Sequence, residues 1–304
     1  MIADDLGMTD AAQVIVGIDG SPFADDALRW AVEEGHVHHA EVVALLAWDY
    51  LHQLPAPGGP PFDPEYRQEI ATTALQALLY RVLGVRGSSV TARAVFGLAA
   101  PVLLDQVRNA SLLVIGARGL GRLRGLLLGS VSQRCTHLCP VPLAIVRNEP
   151  VPTGNIVVGV DGTDISARAL SWAVTEARLR QCPLTVLRAI GDRSSGLETV
   201  AFARAGQPDQ SGAHEMTDRM IAAATGEAPT PPVEIAIVSS EPARSLVDAS
   251  ADAQLLVVGN PRYSSLGGVM LGSVAQQVAH HAQCPTVLVP HPLRDEAGGR
   301  SAGA

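Results

Sequence analysis

The feature that most constrains this chain is that it repeats itself. VGIDGSPFADDALRWAVEE, starting at Val16, returns as VGVDGTDISARALSWAVTE, starting at Val158. Gly17, Asp19, Gly20, Ala27, Leu28, Trp30, Ala31, Val32 and Glu34 thereby recur as Gly159, Asp161, Gly162, Ala169, Leu170, Trp172, Ala173, Val174 and Glu176, at an offset of 142 residues. The stretch LLVIGARGLGRLRGLLLGSVSQRCTHLCPVPLAIV from Leu112 aligns without a gap with LLVVGNPRYSSLGGVMLGSVAQQVAHHAQCPTVLV from Leu255, at an offset of 143. A repeat about half as long as the chain means two whole domains and excludes a solenoid. Between the copies, RNEPVPTGN from Arg147 holds two prolines and a glycine and has no apolar period, as a linker should. The boundary falls near Val151, giving domains 1–150 and 151–304.

Within the first copy, QVIVGI, EVVALLA, SVTARAV, LLVIG and PLAIV are short apolar runs that predict strands. Ser21 to Glu34, Asp63 to Leu83, Ala99 to Arg108 and Ser130 to Leu138 predict helices. Ser21 followed by Pro22 is an N-cap and first-turn pair, and Thr163 supplies the same cap in the second copy. The alternation predicts an α/β fold of two tandem doubly wound parallel five-stranded sheets, each flanked by helices. With 304 residues, 47% of them hydrophobic, the chain can fill two such cores. LHQLPAPGGPPFDP, after the second strand, predicts a loop beside the site.

A formal charge of -8 without any basic run argues against nucleic-acid and anionic-membrane partners. The acidic start MIADDLGMTDA lacks the features of a signal peptide, and no apolar run reaches membrane-spanning length, so the expected location is cytoplasmic. Four cysteines, Cys135, Cys139, Cys182 and Cys284, are too sparse for a disulfide framework and lack C-x-x-C spacing, which favours buried thiols. HVHH, with His36, His38 and His39, stands at the end of the first helix. No acidic or cysteine partner is fixed near it by spacing, so no metal is expected there.

In doubly wound sheets, ligands bind beyond the carboxyl ends of the strands where strand order reverses. Two motifs sit at strand ends: Asp19 in the turn leaving the first strand, and the loop Gly116-Ala-Arg-Gly119-Leu-Gly121-Arg-Leu-Arg-Gly125-Leu-Leu-Leu-Gly129-Ser130 leaving the fourth. Its glycines permit positive φ and close approach of backbone N–H groups to an anion. Gly129 and Ser130 open a helix whose N-terminus favours phosphate, and Arg118, Arg122 and Arg124 add positive charge. Composition alone leaves a flexible connection with a helix cap as the alternative. A G-x-x-x-x-G-K-[ST] phosphate loop is excluded because the glycine loops carry no lysine. A G-x-G-x-x-G dinucleotide fingerprint fails because Gly119-x-Gly121 meets Arg124 at the third position.

The spacing Gly116-x2-Gly119-x9-Gly129-Ser130, together with VGIDGS at the first strand, resembles the universal stress proteins of the ATP-binding type. The resemblance covers Gln13 to Val146 and Asn155 to Pro290 as a tandem pair. It implies strand order 3-2-1-4-5, which brings Asp19 beside the glycine loop. It further implies that the acidic residue after the first strand sits by the nucleoside and a bound metal. The glycine loop then wraps the phosphates, and a small residue ending the second strand lines the adenine pocket. By motif these fall on Asp19 with Gly17; on Gly116, Ala117, Arg118, Gly119, Leu120, Gly121 and Arg122 with Gly129, Ser130 and Val131; and on Ala47. The implied cofactors are ATP and Mg2+. The fifth strands, PLAIV and PTVLV, are expected to pair, as a homodimer or an intramolecular pseudo-dimer, because a sheet edge leaves amides and carbonyls unpaired.

The second copy departs from the pattern. Gly259-Asn-Pro-Arg262-x9-Gly272-Ser273 has an arginine where the second glycine belongs, and Pro261 removes an amide donor. Its candidates are Gly159, Asp161, Ala189, Gly259, Arg262, Gly272, Ser273 and Val274, with weakened affinity expected. The functional expectation is a nucleotide-dependent stress or growth regulator with at most slow ATP hydrolysis, because no general base is fixed beside the loop by spacing. A slow ATPase or phosphotransferase and a dimerisation scaffold with vestigial loops are the alternatives.

Overall fold

The computed structural model describes residues 12–55, 57–119, 128–147, 153–190, 210–226, 228, 231–261, 263–265, 268–270 and 272–291. The first half runs β1 (Gln13–Ile18), α1 (Pro22–His38), β2 (Glu41–Trp48), α2 (Gln68–Leu83), β3 (Thr91–Phe96), α3 (Ala99–Gln106), β4 (Leu112–Gly116), α4 (Ser130–Leu138) and β5 (Leu143–Val146). The second runs β6 (Ile156–Gly159), α5 (Asp164–Arg180), β7 (Leu184–Ala189), α6 (Gln210–Thr225), β8 (Val233–Val238), α7 (Pro242–Ala249), β9 (Leu255–Asn260), β10 (Tyr263–Ser265), β11 (Gly268–Met270), α8 (Ser273–His281) and β12 (Thr286–Pro290). The domain boundary placed near Val151 lies outside the described residues. Among the described residues no helix is long and apolar enough to cross a membrane.

Local chemistry sets the two longest helices. The Ser21 Oγ accepts a hydrogen bond from the Ala24 N–H at 3.2 Å, Pro22 enters the first turn, and His39 at φ 51 ends α1 in the left-handed region. Thr163 Oγ1 repeats the cap on Ser166 N–H at 3.3 Å, and Gln181 at φ 52 repeats the stop. Each helix buries an Ala-Leu-Trp-Ala stripe, Ala27, Leu28, Trp30 and Ala31 in the first and their repeats in the second.

The strand order is β3-β2-β1-β4-β5 in the first half and β12-β9-β6-β7-β8 in the second, which is 3-2-1-4-5 twice. Within each half the pairing is parallel. The halves join where β5 and β12 pair antiparallel, with Ile145 opposite Thr286, Ala144 opposite Val287 and Leu143 opposite Leu288, into one ten-stranded sheet. Both helical layers are continuous across this seam. Leu28, Leu75 and Leu170 pack on one face of the sheet, and Leu113, Leu143, Leu256 and Leu288 on the other.

Two side chains reinforce the seam at helix ends. The Thr136 carbonyl lies in the last turn of α4, and the residue four further on is Pro140, which has no N–H to offer. Asn260, buried at the end of β9, supplies the missing donor through Nδ2 at 2.7 Å. Reciprocally, Arg147 Nη2 from the first half donates to the Ala279 carbonyl of α8 at 2.7 Å.

Three expectations need correction. Helix α2 begins at Gln68 and not at Asp63. Asp63 instead accepts from Glu65 N–H at 2.8 Å in a side-chain turn, and Tyr66 is drawn into the preceding loop by donating to the Leu54 carbonyl at 2.9 Å. Helix α3 stops at Gln106, and Val107–Asn109 forms a tighter turn. In the second half the segment matching the glycine loop contains an antiparallel hairpin, β10 with β11. All four cysteines are free and buried, and burial pushes the Cys135 and Cys284 thiols up to about 12.

Asn260→Ala should leave the Thr136 carbonyl without its donor and destabilise the protein by about 1–3 kcal/mol, the usual cost of an orphaned buried polar group, as a lower urea midpoint at unchanged slope.

Candidate functional site

Strands β1 and β4 are adjacent, with Val14, Ile15 and Val16 opposite Leu112, Leu113 and Val114, and the strand order reverses across them. Their carboxyl ends therefore deliver two turns to one place. In the first turn, Asp19 Oδ1 accepts from Ser21 N–H at 2.9 Å, and Gly20 takes φ +82. This fixes the carboxylate at the mouth of the crevice.

The second turn closes on it. A Cβ at Gly119 would stand 2.3 Å from Asp19 Oδ2, so any larger residue forces the carboxylate to turn away. Gly119 is not among the residues with positive φ. The need for glycine is therefore steric exclusion by Asp19, not the left-handed conformation. Ser21 Oγ donates to the Arg118 carbonyl at 3.4 Å, tying the two turns together. From the far end of the loop, Gly129 N–H donates to the Ala117 carbonyl at 2.9 Å, and a Cβ at Gly129 would approach Gly119 N to 3.4 Å. Gly129 is the N-cap of α4 and has no side chain to cap it, which leaves the first-turn amides at Ser130 and Val131 facing an end of positive helix potential.

Charge collects at the same place. The Arg118 guanidinium lies 5.6 Å above the Phe23 ring, a cation–π contact that holds it by the loop. Burial first, and then the charge of Arg118, hold Arg147 below the ordinary guanidinium value, so the two cations share one field. Arg147 was not among the residues selected from sequence, because it stands in the linker.

Of the remaining candidates, Gly17 and Gly116 are packing glycines. A Cβ at Gly116 would meet the Phe23 carbonyl group at 2.7 Å, and one at Gly17 would meet Leu103 at 3.2 Å. They let α1 and α3 lie against the sheet below the mouth. Ala47 follows Leu46, which pairs with Ile18 at the end of β1, so it stands level with Asp19. Leu120, Gly121 and Arg122 lie outside the described residues.

The second half keeps the first turn and changes the second. Asp161 Oδ1 accepts from Thr163 N–H at 2.9 Å and from Thr163 Oγ1 at 2.6 Å, and Gly162 takes φ +91. Gly159 packs against Leu246, and Gly259 meets Ile165 as Gly116 meets Phe23. Ala189 ends β7 opposite Val238, and Ser273 and Val274 open α8 behind the N-cap Gly272. Asn260, however, is turned to α4, and the Pro261 ring fills the space where a Cβ on Gly272 would fall, at 2.8 Å. Arg262 lies outside the described residues.

The expectation that the histidines of α1 have no acidic partner is overturned. His38 Nε2 lies 2.8 Å from Glu176 Oε2 and 3.3 Å from Glu34 Oε2, and both carboxylates are buried. Arg180 donates through Nε to Glu176 Oε1 at 2.5 Å and pairs with Glu34. Glu34 and Glu176 are equivalent positions of the repeat, as are His38 and Arg180. The ligand atoms of Glu34, His38 and Glu176 lie within 4.8 Å of one another, a spacing a metal ion accepts. The Arg180 guanidinium already provides the positive charge between both carboxylates, so the cluster is a charge lock between α1 and α5.

Tandem doubly wound sheets, each with a carboxylate-bearing turn at its switch point, define a class of paired α/β domains. The profile of the universal stress protein family matches residues 12–147 and 152–290. The chain belongs to that family. Universal stress protein Rv2623 of Mycobacterium tuberculosis H37Rv is 30% identical over 296 residues, covering 92% of this chain and 97% of the relative. Universal stress protein Rv2005c of the same strain is 31% identical over 90% of this chain and 96% of its own length. The crystal structure of a universal stress protein from Archaeoglobus fulgidus DSM 4304 superposes with a TM-score of 0.66 at 17% identity, covering 93% of this chain and 99% of that one.

Arg180→Met should strand two buried carboxylates against His38 alone and destabilise the protein by about 3–5 kcal/mol, the range for breaking a buried ion pair, as measured by urea unfolding. A loss below 1 kcal/mol would mean that water reaches the cluster.

Proposed function

We propose that the first half binds ATP with Mg2+ and that the chain acts as a nucleotide-dependent stress or growth regulator. The observation that carries this reading is the approach of the Gly119 backbone to Asp19 Oδ2, closed from the other side by Gly129. That geometry leaves space beside the Gly119 and Gly129 backbone that a side chain would fill, which supports the approach of a phosphate chain to the backbone there. The uncapped first turn of α4, Ser130 and Arg118 supply further donors and charge. Asp19 would take the metal-side and ribose-side contacts, and Mg2+ would neutralise part of the phosphate charge that Asp19 otherwise opposes. Ala47, level with Asp19 at the end of β2, would border the base.

Binding without rapid turnover is the favoured mode. Asp19 is the carboxylate at the mouth, and its Oδ1 already accepts from Ser21 N–H, which supports a positioning role over that of a general base. A shift in the protein's conformational population on nucleotide binding is then the output, read by a partner that recognises the bound state. In the second half, the diversion of Asn260 and the Pro261 ring at Gly272 favour weak binding or none.

Mg-ATP at about 100 times its dissociation constant should stabilise the chain by roughly 2.7 kcal/mol. Gly119→Ala should abolish most of that thermal shift, because its Cβ cannot coexist with Asp19 in place. Calorimetric titration provides the check. An unchanged melting temperature across millimolar Mg-ATP contradicts the proposal, as does a Gly119→Ala variant that binds like the parent.

A further inference from the structure

We propose that Arg147, anchored across the seam by the second half, holds the outer phosphates of the nucleotide in the first half and makes that site prefer ATP to AMP. This rests on the nucleotide reading of the first half and adds the residue that counts its phosphates.

Arg118 and Arg147 leave neighbouring strand ends. Gly116, the last residue of β4, stands opposite Val146, the last of β5, and the Ala117 N–H donates to the Val146 carbonyl at 2.8 Å. Arg147 Nη2 then donates to the Ala279 carbonyl at 2.7 Å. Ala279 packs in the same apolar layer as Val131, in the first turn of α4, so the Arg147 side chain lies on the face of the sheet that carries the uncapped α4 N-terminus. Burial and then Arg118 hold Arg147 below the ordinary guanidinium value. Beside Ala279, His280 is held below its ordinary value by burial, by His281 and then by Arg147. Positive charge from both halves therefore gathers next to the helix end proposed for phosphate.

The seam contact by itself does not call for a cation. The Ala279 carbonyl needs a donor because the Gln283 N–H, four residues on, donates to Ser250 Oγ at 2.8 Å. Thr136 and Ala279 are equivalent positions of the repeat, and the Thr136 carbonyl is satisfied by Asn260 Nδ2, a neutral amide. An amide therefore suffices for this cap. Arg147 uses one of its five N–H groups on the carbonyl and brings a full charge into the field of Arg118, which is unfavourable until an anion enters. Phosphate oxygens accept charge-assisted hydrogen bonds from two guanidiniums at once. Position decides which phosphate is held. Neighbouring strands stand about 4.8 Å apart, so the end of β5 lies roughly 10 Å across the sheet from the end of β1, with β4 between them. With the ribose at Asp19, the α-phosphate falls short of Arg147 and the outer phosphates reach it.

The test is calorimetric titration of the full chain with ATP and with AMP, each at the same Mg2+ concentration, for the parent, Arg147→Gln and Arg147→Lys. Glutamine keeps an amide donor for the Ala279 carbonyl, as Asn260 does for Thr136, and removes only the charge. The parent should bind ATP more tightly than AMP. Arg147→Gln should weaken ATP by about tenfold or more and AMP by less than about twofold, as the loss of one charge-assisted contact to the outer phosphates requires. Arg147→Lys should recover part of the preference, because it restores the charge without the planar fork. A parent that binds ATP and AMP equally, an Arg147→Gln variant with the parent's ratio of affinities, or a loss shared equally by both nucleotides would each overturn the proposal while leaving nucleotide binding by the first half intact. A parent that binds neither nucleotide would overturn both.

Discussion

Each half of this molecule ends its sheet on a strand with one side unpaired, and the antiparallel pairing of β5 with β12 removes both edges at once. An exposed edge of amides and carbonyls invites association with other chains, and the seam closes these two within the chain, leaving β3 and β8 as the outer edges. The rest follows from the near-twofold relation this seam imposes. Such a relation brings equivalent residues face to face, and Glu34 therefore meets Glu176 between α1 and α5. The pair is tolerable only because the repeat has diverged beside it, with His38 on one helix and Arg180 on the other. Asn260 and Arg147 then satisfy helix-end carbonyls of the opposite half.

Much of this could be read from sequence, for reasons that are local. The capped helices, the strand alternation, the 3-2-1-4-5 order carried by the family resemblance and the edge pairing depend on short patterns that the duplication printed twice. The start of α2 lies at Gln68, five residues past the Asp63 expected from sequence. Tyr66 is instead drawn away by a hydrogen bond to Leu54 and an edge-on contact with Trp48 at 5.4 Å. The partner of His38 is 138 residues away, beyond any spacing argument. A signal did exist. Glu34 and Glu176 were both visible as repeated acidic residues on helices of otherwise apolar faces, and a twofold relation would have joined them. At Gly119 the physical reason for a glycine differs from the one the sequence suggests: Asp19 Oδ2 lies where a Cβ would fall, and φ is not positive.

The two halves illustrate how a duplicated site diverges. The packing glycines Gly116 and Gly259 do the same work against α1 and α5, and Asp19 and Asp161 sit in the same turn. The residues around the end of the fourth strand differ. There the first half keeps Ala117, Arg118 and Gly119 folded back on Asp19, whereas the second commits Asn260 to the seam and places a proline ring against Gly272. The buried Arg188 in place of Leu46 is a second divergence on the opposite face of the sheet.

The central claim is that one half, and not both, holds a nucleotide. Mass spectrometry and quantitation of the small molecules released on denaturing the full chain, after saturation with Mg-ATP and removal of excess, test it most directly. The account predicts one adenine nucleotide per chain, and none from the Gly119→Ala variant. Two per chain, or a stoichiometry that Gly119→Ala leaves unchanged, would contradict it.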